Sequence, residues 1–150
     1  MDLLSSMEIS ASGLSAQRTR LNVISQNLAN ASTTRTEAGG PYRRQVAIFR
    51  ANPFVSHLER AMDGPDYPFN GDPRVGVLVD GVSEDPTPFK KVYDPSHPDA
   101  DKEGYVDMPN VDVVVEMANM INASRSYEAN VSAVQSTKTM AMKALEIGKG

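Results

Sequence analysis

Apolar residues recur every seven positions at the start of the chain: Met7, Leu14, Leu21 and Leu28. Leu4 and Ala11 fill the companion places of a three-four alternation, Ile24 extends it, and Arg18 and Ser25 interrupt it. This spacing predicts a helix with a coiled-coil seam. Ser5-x-x-Glu8 has the form of a capping box, so the helix begins there or a few residues earlier. Asn30, followed by Ala-Ser-Thr-Thr, is a fitting stop, because Asn tolerates the left-handed conformation at a helix end.

The same period returns at the far end. Beyond Pro109, Asn110 or Asp112 offers a cap. The alternation then runs Val113, Met117, Met120, Ser124, Tyr127, Val131, Val134, Lys138, Ala141 and Leu145 before Gly148. All ten prolines lie between Pro41 and Pro109, so the centre is irregular and the ends are free to be helical. Within it, Tyr42 to Phe49 alternates, Val75 to Val82 is rich in β-branched residues, and Phe89 to Tyr93 is a third candidate strand. Residues 52–74 read as loop with a short helical turn near Leu58.

The expected fold is α+β, mainly α: two long terminal helices paired as an antiparallel coiled coil, with a small β-rich middle domain. The segments are 1–32, 33–108 and 109–150. At about 1.5 Å per residue the first helix is ~40 Å long and the second ~55 Å. A compact chain of 150 residues measures only about 40 Å across. Two narrow seams bury little area by themselves, so a third surface is expected, most simply another subunit. The assembly seam comprises Leu4, Met7, Leu14, Leu21, Ile24, Leu28, Met117, Met120, Tyr127, Val131, Val134 and Leu145.

Composition removes several kinds of chemistry. There is no cysteine, which excludes disulfides, thiol nucleophiles and thiolate metal sites. The two histidines, His57 and His97, fall far apart in loops, and no phosphate-cradling glycine loop is present; Gly39-Gly40 suits a turn. The expectation is no enzyme and no cofactor. Asp99, Asp101, Glu103 and Gly104 match the first half of a calcium loop, but Asn110 stands where a bidentate Glu belongs, so no metal site is assigned. Net charge is -4, with residues 51–110 carrying five basic and twelve acidic residues. No segment concentrates Lys and Arg as a nucleic-acid binder does. No apolar run approaches a membrane span of about 18 residues. The first residues lack the basic and apolar regions of a cleavable signal peptide.

Ser12 to Thr33, SGLSAQRTRLNVISQNLANAST, resembles the N-terminal signature of bacterial flagellar rod and hook proteins, and Glu116 to Gly148 is similar to their C-terminal helix. GGPYRRQ at 39–45 and the stretch 92–117 resemble the short proximal-rod members. The resemblance implies a structural subunit exported by the flagellar type III apparatus and polymerised through its terminal helices. It places the chain in the basal-body rod that crosses the periplasm. The implied partners are other copies of the chain, the rod proteins FlgB, FlgF, FlgG and FliE, and type III export components. Polar residues in the seam would then fix register or reach neighbouring subunits: Gln26, Asn27, Asn30, Asn119, Asn122, Arg125 and Asn130. The competing expectation from the heptads alone is a soluble helical adaptor or export chaperone.

Overall fold

A computed structural model describes residues 3–53 and 75–148; the helical turn expected near Leu58 lies outside the described residues. Helix α1 spans Leu3–Ala29 and helix α2 spans Val113–Ile147. Between them lie strands β1 (Gln45–Pro53), β2 (Val75–Glu84), β3 (Lys90–Tyr93) and β4 (Tyr105–Met108). They form two two-stranded sheets, β1 with β2 and β3 with β4. The fold is therefore α+β with long helices at both ends and small sheets between. No described helix is long and apolar enough to cross a membrane.

The chain packs as two units. One comprises residues 1–18, 49–80 and 125–150, the other 19–48 and 81–124. In the second unit, β3 and β4 run antiparallel with Val92 opposite Val106 and Tyr93 opposite Tyr105. The rings of Tyr93 and Tyr105 meet edge to face at 5.3 Å. The Asp85 N–H donates to the Arg44 carbonyl at 2.8 Å, so the end of β2 lies beside the start of β1. Val23, Ile24, Val106, Val111 and Ala123 are buried here, together with Asn27, Asn110 and Glu116. In the first unit the buried groups among the described residues are Ala16 and Thr137.

Several ends and turns differ from the sequence reading. Helix α1 is formed by Leu3, within the few residues before Ser5 that the sequence allows, so Ser5 and Glu8 lie inside it. No described residue other than glycine has positive φ, so Asn30 does not end the helix in the left-handed conformation. Its side-chain Nδ2 instead donates to the Gln26 carbonyl at 2.9 Å, which also accepts the Asn30 N–H at 3.1 Å. Strand β4 went unread because its four residues sit among turn formers. The link from β3 to β4 is a turn in which the Asp101 carboxylate accepts the N–H groups of Glu103 at 2.9 Å and Tyr105 at 2.8 Å. Gly104, at φ +84°, closes that turn against Tyr93 and Pro95. Of the acids that resemble half a calcium loop, Asp101 thus serves as the acceptor in a turn, and Asp99 accepts from the Thr34 hydroxyl at 2.8 Å.

The helix faces bring the clearest shift from the sequence reading. Along α2 the buried and half-buried row is Glu116, Met120, Ala123, Tyr127, Asn130, Val134, Thr137 and Ala141. It keeps the expected Met120, Tyr127, Val134 and Ala141 but replaces Met117, Ser124, Val131 and Lys138 by their preceding neighbours. Along α1 the row is Ile9, Gly13, Ala16, Arg20, Val23 and Asn27, while Ala11, Arg18 and Ser25 are exposed. Met7, Leu14, Leu21 and Leu28 are half-buried, on the flank of that row rather than along it. Both rows alternate three and four residues, and the most buried places within the chain fall beside the heptad positions read from the sequence. A Cβ on Gly13 would stand 2.9 Å from Nδ2 of Asn130.

Candidate functional site

The densest set of interactions in the described chain lies in the second unit, around the motif Tyr42-Arg43-Arg44-Gln45. This segment follows a tight reversal. Thr36 N–H donates to Gly40 O and Tyr42 N–H to Thr33 O, both at 2.9 Å, with Gly39 and Gly40 at φ +85° and +78°. Those two conformations are what glycine supplies without steric cost. The reversal returns the chain along the last turns of α1, where Asn27 waits.

Asn27 is 1% exposed and uses its whole hydrogen-bonding capacity. Its Nδ2 donates to Gln45 O at 2.8 Å and to Glu116 Oε2 at 3.1 Å. Its Oδ1 accepts from Gln45 N–H at 2.9 Å and from the Tyr42 hydroxyl at 3.0 Å. The amide therefore reads both backbone groups of Gln45, as a neighbouring strand would. Asn110 acts one residue earlier and bridges two segments: Oδ1 accepts from Arg44 N–H at 2.7 Å, and Nδ2 donates to the carbonyls of Asp85 and Thr87 at 3.2 and 3.0 Å. Two side-chain amides thus open β1 before ladder pairing begins.

Glu116, in the first turn of α2, is completely buried. A buried carboxylate is costly unless paired and hydrogen-bonded. Arg44 supplies Nε at 2.9 Å and Nη2 at 2.7 Å to its Oε1, while Asn27 serves Oε2. The helix N-terminus adds favourable partial positive charge. Arg44 extends Nη1 to Asp85 at 3.0 Å, joining a second carboxylate to the node. Burial alone would lower the Arg44 pKa, but the bonds to Glu116 and Asp85 raise it above its ordinary value. The hydroxyl and N–H of Thr87, then Arg44, hold Asp85 below the usual carboxylate range. Burial, followed by the charges of Glu116 and Glu84, pushes the Tyr42 hydroxyl upward. Arg43 turns the other way: its guanidinium lies 4.4 Å from the Phe89 ring centre and donates to Asp85 O at 3.1 Å. These groups form one node. It fastens the end of α1, the start of β1, the segment after β2 and the start of α2 to one another.

Of the polar residues singled out from the sequence, only Asn27 enters the node. Asn30 bonds within its own helix end and accepts from the Thr33 hydroxyl at 3.2 Å. Asn130 is half-buried against Gly13. Asn119 is half-buried; Gln26, Asn122 and Arg125 are exposed. Among the seam residues, Ile24 is buried. Met120, Tyr127, Val131 and Val134 are half-buried, as are the α1 leucines of the heptad. Met117 and Leu145 are exposed, at 54% and 69%. The side chain of Leu4 is outside the described set. Sequence reasoning missed Arg44, Glu116, Asn110 and Tyr42. Each bonds to partners distant in the chain, which no local pattern pairs.

Comparison with known proteins fits these positions. Residues 7–35 match the family described as flagella basal body rod protein, and residues 102–147 match the family described as flagellar basal body rod FlgEFG protein C-terminal. The flagellar basal-body rod protein FlgC of Borreliella burgdorferi is 48% identical across the full length of both chains. That of Bacillus subtilis is 46% identical over 99% of this chain and 100% of its own length. That of Escherichia coli O157:H7 is 43% identical over 99% and 100%. These matches decide against a helical adaptor or export chaperone. With rod-family signatures at both ends and relatives of this similarity along the whole length, the chain belongs to the flagellar basal-body rod protein family, among its FlgC members, the structural subunits of that rod.

Proposed function

We propose that the chain polymerises into the proximal rod through apolar helix faces that its own fold leaves open. The observation that carries this reading is the outer face of α2 at its start. Val114, Met117 and Ile121 lie at helical spacing and are 76%, 54% and 53% exposed. They lie away from the row headed by Glu116, Met120 and Ala123. The half-buried Leu14, Leu21 and Leu28 offer a second open stripe on α1. In this reading α1 and α2 pair as an antiparallel coiled coil through their inner rows. The contacts of Gly13 with Asn130 and of Asn27 with Glu116 support that direction: the partner number falls as α1 advances. The terminal segments 1–32 and 109–150 then build the rod wall and 33–108 faces its surroundings. Other copies of the chain and the rod proteins FlgB, FlgF, FlgG and FliE supply the neighbours. Delivery is by the flagellar type III system, and the assembled rod crosses the periplasm within the basal body.

Met117→Glu and Ile121→Glu test the reading, since neither side chain is needed inside the chain. Expressed in a strain lacking the native gene, each variant should keep the circular dichroism of the parent when purified and fail to form rods. Normal rods and normal swimming with both substitutions combined would overturn it.

A further inference from the structure

We propose that Arg43 and Asn110 read the isomer of two peptide bonds, Asp85–Pro86 and Thr87–Pro88. The unit of residues 19–48 and 81–124 closes only when both are trans, and a prolyl isomerase is the partner that speeds the closure. A pair of forks carries this. Asn110 Nδ2 donates to the carbonyls of Asp85 and Thr87 at 3.2 and 3.0 Å, and Arg43 Nη1 donates to the same two carbonyls at 3.1 and 3.3 Å. Those carbonyls belong to the peptide bonds that precede Pro86 and Pro88, the kind of backbone bond with a ready cis alternative. Each fork spans both carbonyls, so the donors fit one relative placement of the two.

The segment is anchored on either side as well. Before it, the Asp85 N–H donates to the Arg44 carbonyl at 2.8 Å. After it, the Phe89 ring lies 4.4 Å from the Arg43 guanidinium, and Lys90 pairs with Met108 across β3 and β4. Between the prolines, the Asp85 carboxylate accepts from the Thr87 hydroxyl and from the Thr87 N–H, the latter at 2.9 Å. Every described peptide bond is trans. Turning the bond before Pro86 to cis would swing the Thr87 carbonyl away from the donors that hold Asp85. Turning the bond before Pro88 would carry Phe89 off Arg43 and Lys90 out of register. Elsewhere the pre-proline carbonyls of Gly40, Asp94 and His97 accept from Thr36, His97 and Ala100, within local turns. Among the described residues, only those of Asp85 and Thr87 are read by side chains 23 to 44 residues away.

In an unfolded chain each such bond is cis in roughly 10–30% of molecules. Two bonds therefore leave about a fifth to a half of the molecules with at least one wrong isomer. Those molecules cannot complete the forks until the bond turns, whichever faces the chain later assembles through. Pro86 and Pro88 are exposed, so an enzyme that catalyses the rotation can reach them.

Refolding of the full-length chain from urea reads this directly, followed by tyrosine fluorescence because the chain has no tryptophan. After unfolding for minutes, a slow phase should appear over roughly tens to hundreds of seconds at 25 °C. After unfolding for about a second it should be missing, because the prolines have not yet isomerised. A prolyl isomerase of the cyclophilin class should speed it several-fold. Pro86→Ala combined with Pro88→Ala should remove most of its amplitude. Pro98→Ala, whose preceding carbonyl is held only by a local turn, should keep it. In Arg43→Ala, with one fork gone, the amides of Thr87 and Phe89 should show a second, minor set of NMR peaks that the parent lacks. No slow phase, a slow phase blind to the isomerase, or full amplitude in the double variant would overturn the proposal. So would loss of the amplitude in Pro98→Ala, or single peaks in Arg43→Ala. The unfolding-delay and isomerase measurements use the unchanged chain, so they decide even if the double variant fails to fold.

Discussion

Arg44 and Glu116 form the shortest ion pair described, Nη2 to Oε1 at 2.7 Å, and the carboxylate beneath the guanidinium has no exposure to solvent. Removing one partner of such a pair leaves an uncompensated buried charge. Arg44→Met should therefore cost about 3–5 kcal/mol, read as a fall in the urea midpoint. Glu116→Gln keeps a polar group of the same shape and should cost less than Arg44→Met.

Glycine substitutions separate conformational strain from crowding. Gly104→Ala meets both, because φ is +84° and its Cβ would stand 2.9 Å from the Tyr93 ring and 3.2 Å from Pro95. Gly40→Ala meets only the first, since φ is +78° with nothing within 4 Å. The left-handed conformation costs an L residue about 1–2 kcal/mol. Gly40→Ala should lower stability by that amount and Gly104→Ala by clearly more, as measured by thermal melting. Equal effects would show that the ring moves freely.

Gly13→Ala sets two terms against each other. Alanine favours a helix interior by about 1 kcal/mol over glycine, but the new Cβ displaces the end of the Asn130 side chain. The amide can rotate away, so the substitution should change the melting temperature little. Adding Asn130→Ala should release the gain in helix content, seen as a stronger helical circular dichroism signal.

Replacing Asp112 tests the start of α2. Its Oδ1 accepts from Val114 N–H at 3.0 Å and Val115 N–H at 3.3 Å. Asp112→Ala should cost about 1 kcal/mol in denaturant unfolding, and Asp112→Asn should recover most of it.

Acid should destabilise the chain in a defined window. Asp85 is held low by Thr87 and Arg44, Asp94 by the hydroxyl and N–H of Ser96, and Asp101 by the N–H of Tyr105 against an opposing effect of burial. Lowered carboxylate pKa values mean that the unfolded chain takes up protons first. Their contribution is complete above the ordinary Asp value of about 3.9 and is lost as pH falls through the folded values. Tyr42 has the opposite sign: its raised pKa gives a contribution complete below about 10 and lost as pH rises beyond it. Urea midpoints across the acid and alkaline ranges check both limbs, and Tyr42→Phe should flatten only the alkaline one.

The sequence carried the element types well because proline, heptad period and β-branched runs act locally. It carried less of which helix positions are most buried within the chain. Met117 and Val131 outrank Glu116 and Asn130 in hydrophobicity, yet the inner row takes Glu116 because Arg44 and Asn27 come to meet it from more than seventy residues away in the chain. No local pattern announces a buried carboxylate whose partners are that distant. Leu14 and Leu21 show the converse: their strict spacing marks an apolar stripe, while the side of α1 with the greatest burial within the chain belongs to Ala16, Val23 and Asn27. The family resemblance succeeded where the periodicity did not, since it rested on NLAN and YRRQ, the segments that meet at the node.

The node also shapes how the subunit answers to temperature. Polar surface lowers the heat-capacity change of unfolding while apolar surface raises it. A unit held largely by amides, a guanidinium and carboxylates should unfold with a small heat-capacity increment for its length. Its stability curve is then broad and shallow, and the node holds almost equally well in the cold and in the warm.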